Sequence, residues 1–225
     1  MPLILNIDTA TETASIALAG EAMAPEVVMN FEQRDHAAWI HDAIAQLMKK
    51  AGRALHELDA VAVSEGPGSY TGLRVGMATA KGFCYALGIP LITESTLKIM
   101  AYAATEQTTG GEHTLFCPMI DARRMEVFTA VYNKALKEVM APRALILDEG
   151  SFSDLLQERK VIFFGSGSKK FRSLAQSANA AFNDIVYHAG HLSYLSGLKF
   201  EARDFTDAAY AEPAYLKEFY THTRK

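Results

Sequence analysis

The string Glu65-Gly66-Pro67-Gly68-Ser69-Tyr70-Thr71-Gly72-Leu73-Arg74-Val75-Gly76 constrains the fold more than any other part of this chain. An apolar strand, Leu58 to Ser64, runs into it, and a helix from Thr71 to about Leu87 runs out of it. Leu73, Met77, Ala80, Phe83, Cys84 and Leu87 form that helix's apolar stripe, and Gly88-Ile89-Pro90 ends it. A strand, a glycine loop and a helix in direct succession belong to an α/β protein. Such a loop has two readings. Its glycines permit close backbone approach and its helix N-terminus can hold phosphate, or it is a tight connection capped by Ser69 or Thr71. Gly66 and Gly72 have the spacing of a nucleotide P-loop, but Leu73-Arg74 stands where that motif needs Lys followed by Ser or Thr. Gly72, Gly76 and Ala80 recur at four-residue steps and leave a smooth strip for a second backbone, inside the fold or at a subunit contact. A glycine within a helix costs about 1 kcal/mol relative to alanine, so Gly76 and Gly82 call for a compensating packing reason.

The same order of elements occurs twice. In the first half, strands at Leu3 to Thr9, Glu12 to Leu18 and Val27 to Phe31 precede a helix from about His36 to Ala51. The glycine-loop unit, a strand at Ile89 to Thr93 and a helix at Ser95 to Ala104 follow. The polar stretch Thr105 to Glu112 then interrupts the pattern. It restarts with strands at Leu115 to Ile120, Glu126 to Val131 and Leu145 to Leu147, a helix at Gly150 to Glu158 and a strand at Val161 to Phe164. Gly165-Ser166-Gly167-Ser168 and helices at about Lys170 to Gln176 and His188 to Leu198 close it. Each half opens on a strand ending in an acid, Asp8 or Asp121, and reaches a strand closed by a glycine loop. Two lobes are expected, residues 1–108 and 109–225, with the last segment packing back on the first. The 225 residues suffice for this, burying about 70% of the unfolded chain's surface.

Other residues narrow the chemistry. Asp8-Thr9-Ala10-Thr11 places a carboxylate and two hydroxyls at a strand end, where a nucleotide enzyme holds metal and phosphate, although acid and threonine also suit an ordinary turn. His36 and His41 lie five residues apart, about 140° around a helix, which misses the four-residue step of a zinc pair. His188 and His191 could share a face, but a capping or surface role fits them better, and no metal is expected. Gly-x-Ser-x-Gly is absent. Asp121-Ala122-Arg123-Arg124-Met125-Glu126 is either a solvated turn or a pair of arginines offered to a carboxylate or phosphate. With 22 Lys+Arg against 26 Asp+Glu the net charge is −4, and no basic run marks a chain that grips nucleic acid alone. Neither a signal peptide nor a membrane span is expected, and Cys84 and Cys117 read as small buried hydrophobes of a cytoplasmic protein.

Four blocks together resemble the bacterial TsaB (YeaZ) family: Ile7 to Thr11, Gly66 to Gly76, Asp121 to Val127, and Pro213-Ala214-Tyr215-Leu216-Lys217. Tyr70 and Lys217 depart from the family's more usual Phe and Arg. The resemblance implies a duplicated fold of the actin-like ATPase, ribonuclease-H-like kind, with a mixed sheet flanked by helices in each lobe. It implies a part in making N6-threonylcarbamoyladenosine beside the anticodon, at position 37, of tRNAs that read codons beginning with A.

In such a family the chain is a dimerisation subunit without catalysis of its own. Its partner TsaD carries the metal and performs the transfer, and the ATPase TsaE completes the assembly. ATP and metal are then expected on those partners, with no cofactor here and tRNA met only indirectly, while homodimer and monomer both stay open for the isolated chain. The implied partner face comprises Ile40, Ile44 and Leu47 on one helix and Thr71, Gly72, Val75, Gly76, Thr79 and Ala80 on the next. Gly76→Leu is then expected to block association and leave the fold intact. Gly66, Pro67, Gly68, Ser69, Tyr70 and Arg74 form the family loop, and Asp8, Thr9 and Thr11 the remnant of a nucleotide site. Two rival classes stay open: a glycoprotease-like peptidase, and a stand-alone protein holding ATP through Asp8, Thr9 and the glycine loop.

Overall fold

The computed structural model describes residues 2–20, 23–32 and 36–217. The first lobe comprises β1 (Ile4–Asp8), β2 (Ala14–Gly20), β3 (Met23–Asn30), α1 (His36–Lys50), β4 (Ala60–Gly66), α2 (Tyr70–Leu87), β5 (Leu91–Ser95) and α3 (Thr96–Gln107). The second comprises β6 (Leu115–Asp121), β7 (Glu126–Tyr132), β8 (Glu138–Ile146), α4 (Ser153–Glu158), β9 (Val161–Phe164), α5 (Ser168–Arg172), β10 (Ala180–Phe182) and α6 (Ala189–Glu201).

The sheet orders are β3-β2-β1-β4-β5 and β8-β7-β6-β9-β10. In each, three antiparallel strands are followed by two parallel ones, so the halves share one topology. Every residue of β1, β2 and β9 is buried, as expected where helices cover both faces of a sheet.

The layers run α1/α2, first sheet, α3/α6, second sheet, α4/α5. Ile40, Ile44 and Leu47 of α1 and Met77, Ala80 and Cys84 of α2 join Leu5, Ile7, Val61 and Val63 in one core. Leu97, Met100 and Ala104 of α3 pack on Phe116, Ile162 and Phe164 of the second sheet, whose other face meets Leu156 and Phe171. Although α6 lies late in the chain, its Leu192 and Leu195 pack on Ile4, Ala60, Ala62 and Ile92 of the first sheet. Ser196 Oγ donates to Asn6 Oδ1 at 2.6 Å, and Ala189 N–H to Ser15 Oγ at 2.8 Å. The second lobe thus returns a helix to the first.

Local differences from the sequence expectation have physical causes. The strand expected at Leu145 to Leu147 is nine residues long, Glu138–Ile146, because it is an edge strand whose charged and half-exposed residues dilute the apolar alternation. The three residues of β10 are too few to leave a periodic signal. Gly82 has no packing reason: it is exposed, and a Cβ there would meet no atom within 4 Å. His188 and His191 form the N-terminal cap of α6, with Gly190 N–H donating to His188 Nδ1 and His188 N–H to His191 Nδ1. Burial and the adjacent His188 push His191 down to about 4, so the cap is held by neutral rings. Burial pushes the Cys84 and Cys117 thiols up to about 11 and about 12, which leaves them unreactive packing groups. Among the described residues no helix is long and apolar enough to cross a membrane.

Candidate functional site

The parallel pair β1 and β4 delivers Asp8 and Ser64 side by side at the sheet's carboxyl end. Asp8 is 1% exposed. Its Oδ1 accepts from Ser64 Oγ at 2.6 Å and from Ala10 N–H at 3.1 Å, and the Tyr187 hydroxyl bonds to the same carboxyl. Burial raises its pKa, which these bonds and nearby His36 only partly offset. Thr9 is fully buried and donates through Oγ1 to Gly72 O at 2.7 Å. The Thr11 hydroxyl meets Tyr187 Oη at 2.9 Å. Asp8, Thr9 and Thr11 are therefore brought together, but Asp8 and Thr9 as core groups closed off by Tyr187, Ser64 and α2. A nucleotide-bound metal does not fit a carboxylate enclosed in this way.

Because the folded-state pKa of Asp8 is raised, the native state holds that proton more tightly than the unfolded chain, and stability falls as pH rises from about 4 through the shifted value. Asp8→Asn keeps the shape without the buried charge. We expect its Tm at pH 7 to equal or exceed that of the parent and the gain to vanish near pH 4, as thermal melts across pH will read. Asp8→Ala, which strands the Ser64 and Ala10 donors, should instead lower stability by about 2 kcal/mol.

The glycine loop is built against the β1–β2 turn. Ser69 N–H donates to Ala10 O at 2.7 Å, Ser69 Oγ caps α2 by accepting from Gly72 N–H at 3.3 Å, and Leu73 N–H is taken by Ser69 O. These amides already have partners, so the loop serves as a capped connection. Gly72 and Gly76 allow α2 to lie directly on β1. A Cβ at Gly72 would stand 2.1 Å from Thr9 O, and one at Gly76 would stand 2.3 Å from Thr9 Oγ1.

This corrects the partner face expected from the sequence. Ile40, Ile44, Leu47, Gly72, Gly76, Thr79 and Ala80 are all buried within this chain. Their small or apolar character serves the contact between helix and sheet. Thr71 is exposed, and Val75, half-buried at the flank of α2, packs against the same core.

The two lobes enclose a cleft of about 850 Å³. One wall is the tip of the first hairpin (Ala10 to Glu12) with Pro67 to Thr71, and the other is the β6–β7 turn with Ser166. The segment from Ala214 to Lys217 closes one side of it. Ala214 N–H donates to Glu65 O at 2.7 Å, Tyr215 packs on Tyr70 with ring centroids 5.6 Å apart, and Arg74 lies 4.0 Å over the Tyr70 ring while donating to Tyr215 Oη. Lys217 then pairs with Glu126 on the far lobe. The near-terminal motif is thus a strap between lobes.

In the β6–β7 turn, Lys170 pairs with Asp121 at 2.7 Å. Burial alone would raise the Asp121 carboxyl, but Lys170 and the Arg123 amide outweigh it and hold it below its ordinary value. Arg123 and Arg124 both have left-handed backbones, with φ of 70° and 47°. That conformation costs a side-chain-bearing residue roughly 1 kcal/mol each. The sequence pointed to the acid and the two arginines. It carried no sign of Tyr187 or Lys170, which reach the cleft and the Asp8 pocket only through tertiary contacts.

Residues 23–211 match the family model described as TsaD, tRNA N6-adenosine threonylcarbamoyltransferase. The chain is 29% identical over 223 residues to the tRNA threonylcarbamoyladenosine biosynthesis protein TsaB of Bacillus subtilis (strain 168), covering 95% of this chain and 93% of that one. It is 37% identical over 133 residues to the protein of the same name from Escherichia coli (strain K12), spanning 58% of this chain and 55% of the relative. Among solved structures it superposes on YeaZ from Pseudomonas aeruginosa with a TM-score of 0.81 at 26% identity, covering 96% of this chain and all of that one.

Proposed function

Since the chain belongs to the tRNA N6-adenosine threonylcarbamoyltransferase family, and within it to the TsaB (YeaZ) group, we propose that it is the non-catalytic dimerisation subunit for N6-threonylcarbamoyladenosine formation in tRNA. Its partner on this reading is TsaD, with TsaE as the accessory ATPase, and ATP and metal reside on those subunits. The modified base is the adenosine at position 37 of tRNAs reading codons that begin with A.

The observation that carries the proposal is the outward face of α1 and α2. Ala37, Ala38, His41, Ala45 and Lys49 on α1 and Thr71, Arg74, Ala78, Gly82, Tyr85 and Ala86 on α2 are exposed. His41 lies beside Phe83, with ring centroids 6.4 Å apart, so the two helices present one continuous surface. Small residues along it permit close approach of another helix pair, and Tyr85, 92% exposed, supplies an aromatic anchor. Gly82 gains a reason on this reading: its open surface is where a partner backbone would lie. By contrast, the enclosed Asp8 favours neither the ATP-binding rival nor a hydrolytic one.

Reconstitution decides the matter. tRNA, threonylcarbamoyl-adenylate and TsaD are combined with and without this chain and TsaE, and the modified nucleoside is measured by mass spectrometry. Repeated turnover should require this chain. Equal turnover in its absence would end the proposal, and so would threonylcarbamoyl transfer by this chain alone.

A further inference from the structure

The helix α2 carries two charged side chains, Arg74 and Lys81, and no acid. Lys81 is half-buried and taken up by the segment leading to the strap, donating to Ala211 O at 3.0 Å and to Ala209 O at 3.5 Å. Arg74 is therefore the charge that this helix offers outward. It is exposed, yet it is held. The Tyr70 ring lies against one face of its guanidinium, 4.0 Å away, and its Nε donates to Tyr215 Oη at 3.1 Å. The two rings pack on each other, and Tyr215 is fixed in turn by the Ala214 amide on Glu65 O and by the pair of Lys217 with Glu126. Tyr70 and Tyr215 are 39% and 40% exposed, so this clamp adds little to the core and chiefly keeps a guanidinium in one orientation. Among the described residues the Nη groups of Arg74 have no hydrogen-bonding or ionic partner, and Glu212, near enough to act on the guanidinium through space, does not pair with it.

We propose that Arg74 is a specificity residue of the partner face: the edge of its guanidinium formed by the two Nη groups takes an Asp or Glu carboxylate of TsaD, with Tyr70 and Tyr215 as positioning residues. This rests on the reading that TsaD covers the outward face of α1 and α2, and it adds the chemistry required of the partner at the N-terminal end of α2. Two parallel N–H donors match the two oxygens of one carboxylate. Arg74 stands on the outer side of the helix and does not line the cleft, so what reaches it is a protein surface and not an enclosed small ligand. It lies one turn before Ala78, which makes it continuous with the small-residue surface that admits a partner helix. A long arginine side chain ordinarily loses rotamer freedom on pairing, and the clamp has already removed much of that freedom before the partner arrives. An apolar or basic residue opposite Arg74 would leave a desolvated charge without a counter-charge, so the same guanidinium also discriminates against wrong partners.

The test is calorimetric titration of the full chain with TsaD at several salt concentrations. Arg74→Gln should weaken binding by about tenfold or more and flatten its salt dependence, and Arg74→Lys, which keeps the charge without the fork, should recover only part of the loss. Tyr215→Phe keeps the ring and removes the oxygen that holds Nε. It should weaken binding a few-fold when Arg74 is present and have no effect when Arg74 is already Gln, a coupling that a merely structural role of Tyr215 would not produce. Parental affinity in Arg74→Gln would overturn the proposal, as would full recovery by Arg74→Lys or equal effects of Tyr215→Phe in both backgrounds. Binding of tRNA by the chain alone that disappears in Arg74→Gln would also overturn it, by assigning the guanidinium to phosphate. Thermal melts check folding, and Arg74→Met, which retains the packing on Tyr70 without the charge, takes the place of a glutamine variant that does not fold. A parent chain that fails to bind TsaD ends the scaffold reading and this inference with it, whereas a parent and an Arg74→Gln variant that bind equally end this inference alone.

Discussion

Gly76→Leu should lower the melting temperature by about 10 °C and reduce the yield of folded protein, whether or not a partner subunit is present. The Cβ alone would stand 2.3 Å from Thr9 Oγ1 and 3.4 Å from Val63 Cγ2. Thr9 cannot give way cheaply, because its hydroxyl donates to Gly72 O and its side chain is fully buried. Overpacking a core typically costs about 1–3 kcal/mol, and the displaced hydrogen bond adds about 1 kcal/mol. For a chain of this size each kcal/mol shifts Tm by about 2–4 °C, so a total of about 3–4 kcal/mol gives the stated effect. Gly76→Ala should show a smaller loss of the same sign. Thermal or urea melts of the isolated chain check both. A melting point within about 2 °C of the parent, joined to lost partner binding, would return Gly76 to the partner face.

Ala78→Arg should do the reverse, sparing the fold and removing the association. Ala78 is exposed, one turn beyond Arg74 on α2, and its methyl group is not part of the core beneath. Surface substitutions of this kind usually change stability by less than about 0.5 kcal/mol. At a packed helix–helix contact the same arginine adds bulk and a charge to be desolvated, at a cost of about 3 kcal/mol or more. We expect the dissociation constant for TsaD to rise by about a hundredfold or more and nucleoside formation to fall with it. Analytical ultracentrifugation and the reconstituted assay read the two quantities separately. Unchanged affinity would move the partner surface off α2. Read together, the two variants separate the inner face of this helix from its outer face.

Much of the first lobe was legible because its elements are long and its periods clear. The stripe expected on α2 from Leu73 to Leu87 matches the residues that pack inward, with Phe83 and Leu87 at its half-buried margin. The four-residue glycine step was visible too, but its meaning was not. A strip of small residues says that a backbone passes close by, without saying whose, and here it is the chain's own β1. Ile40, Ile44 and Leu47 mislead in the same way, since an apolar helix face reads alike whether it covers its own sheet or another subunit. The acid at the end of β1 was recognised, while its closure by Tyr187 was not, because residues so far apart carry no common pattern.

Sequence alone determined the α/β class, the element order that recurs in the two halves and the motif blocks that carry the family resemblance, because hydrophobic period, glycine spacing and strand-end acids are local properties. Tertiary structure decided which face each helix buries, that α6 returns to the first sheet, and that Asp8 lies within the core while Asp121 lies at the cleft. Burial and pairing are settled by what the rest of the chain places opposite a residue. Equivalent positions in the two repeats therefore end in opposite environments: Asp8 is packed under Tyr187, and Asp121 is held by Lys170 at the rim of open space.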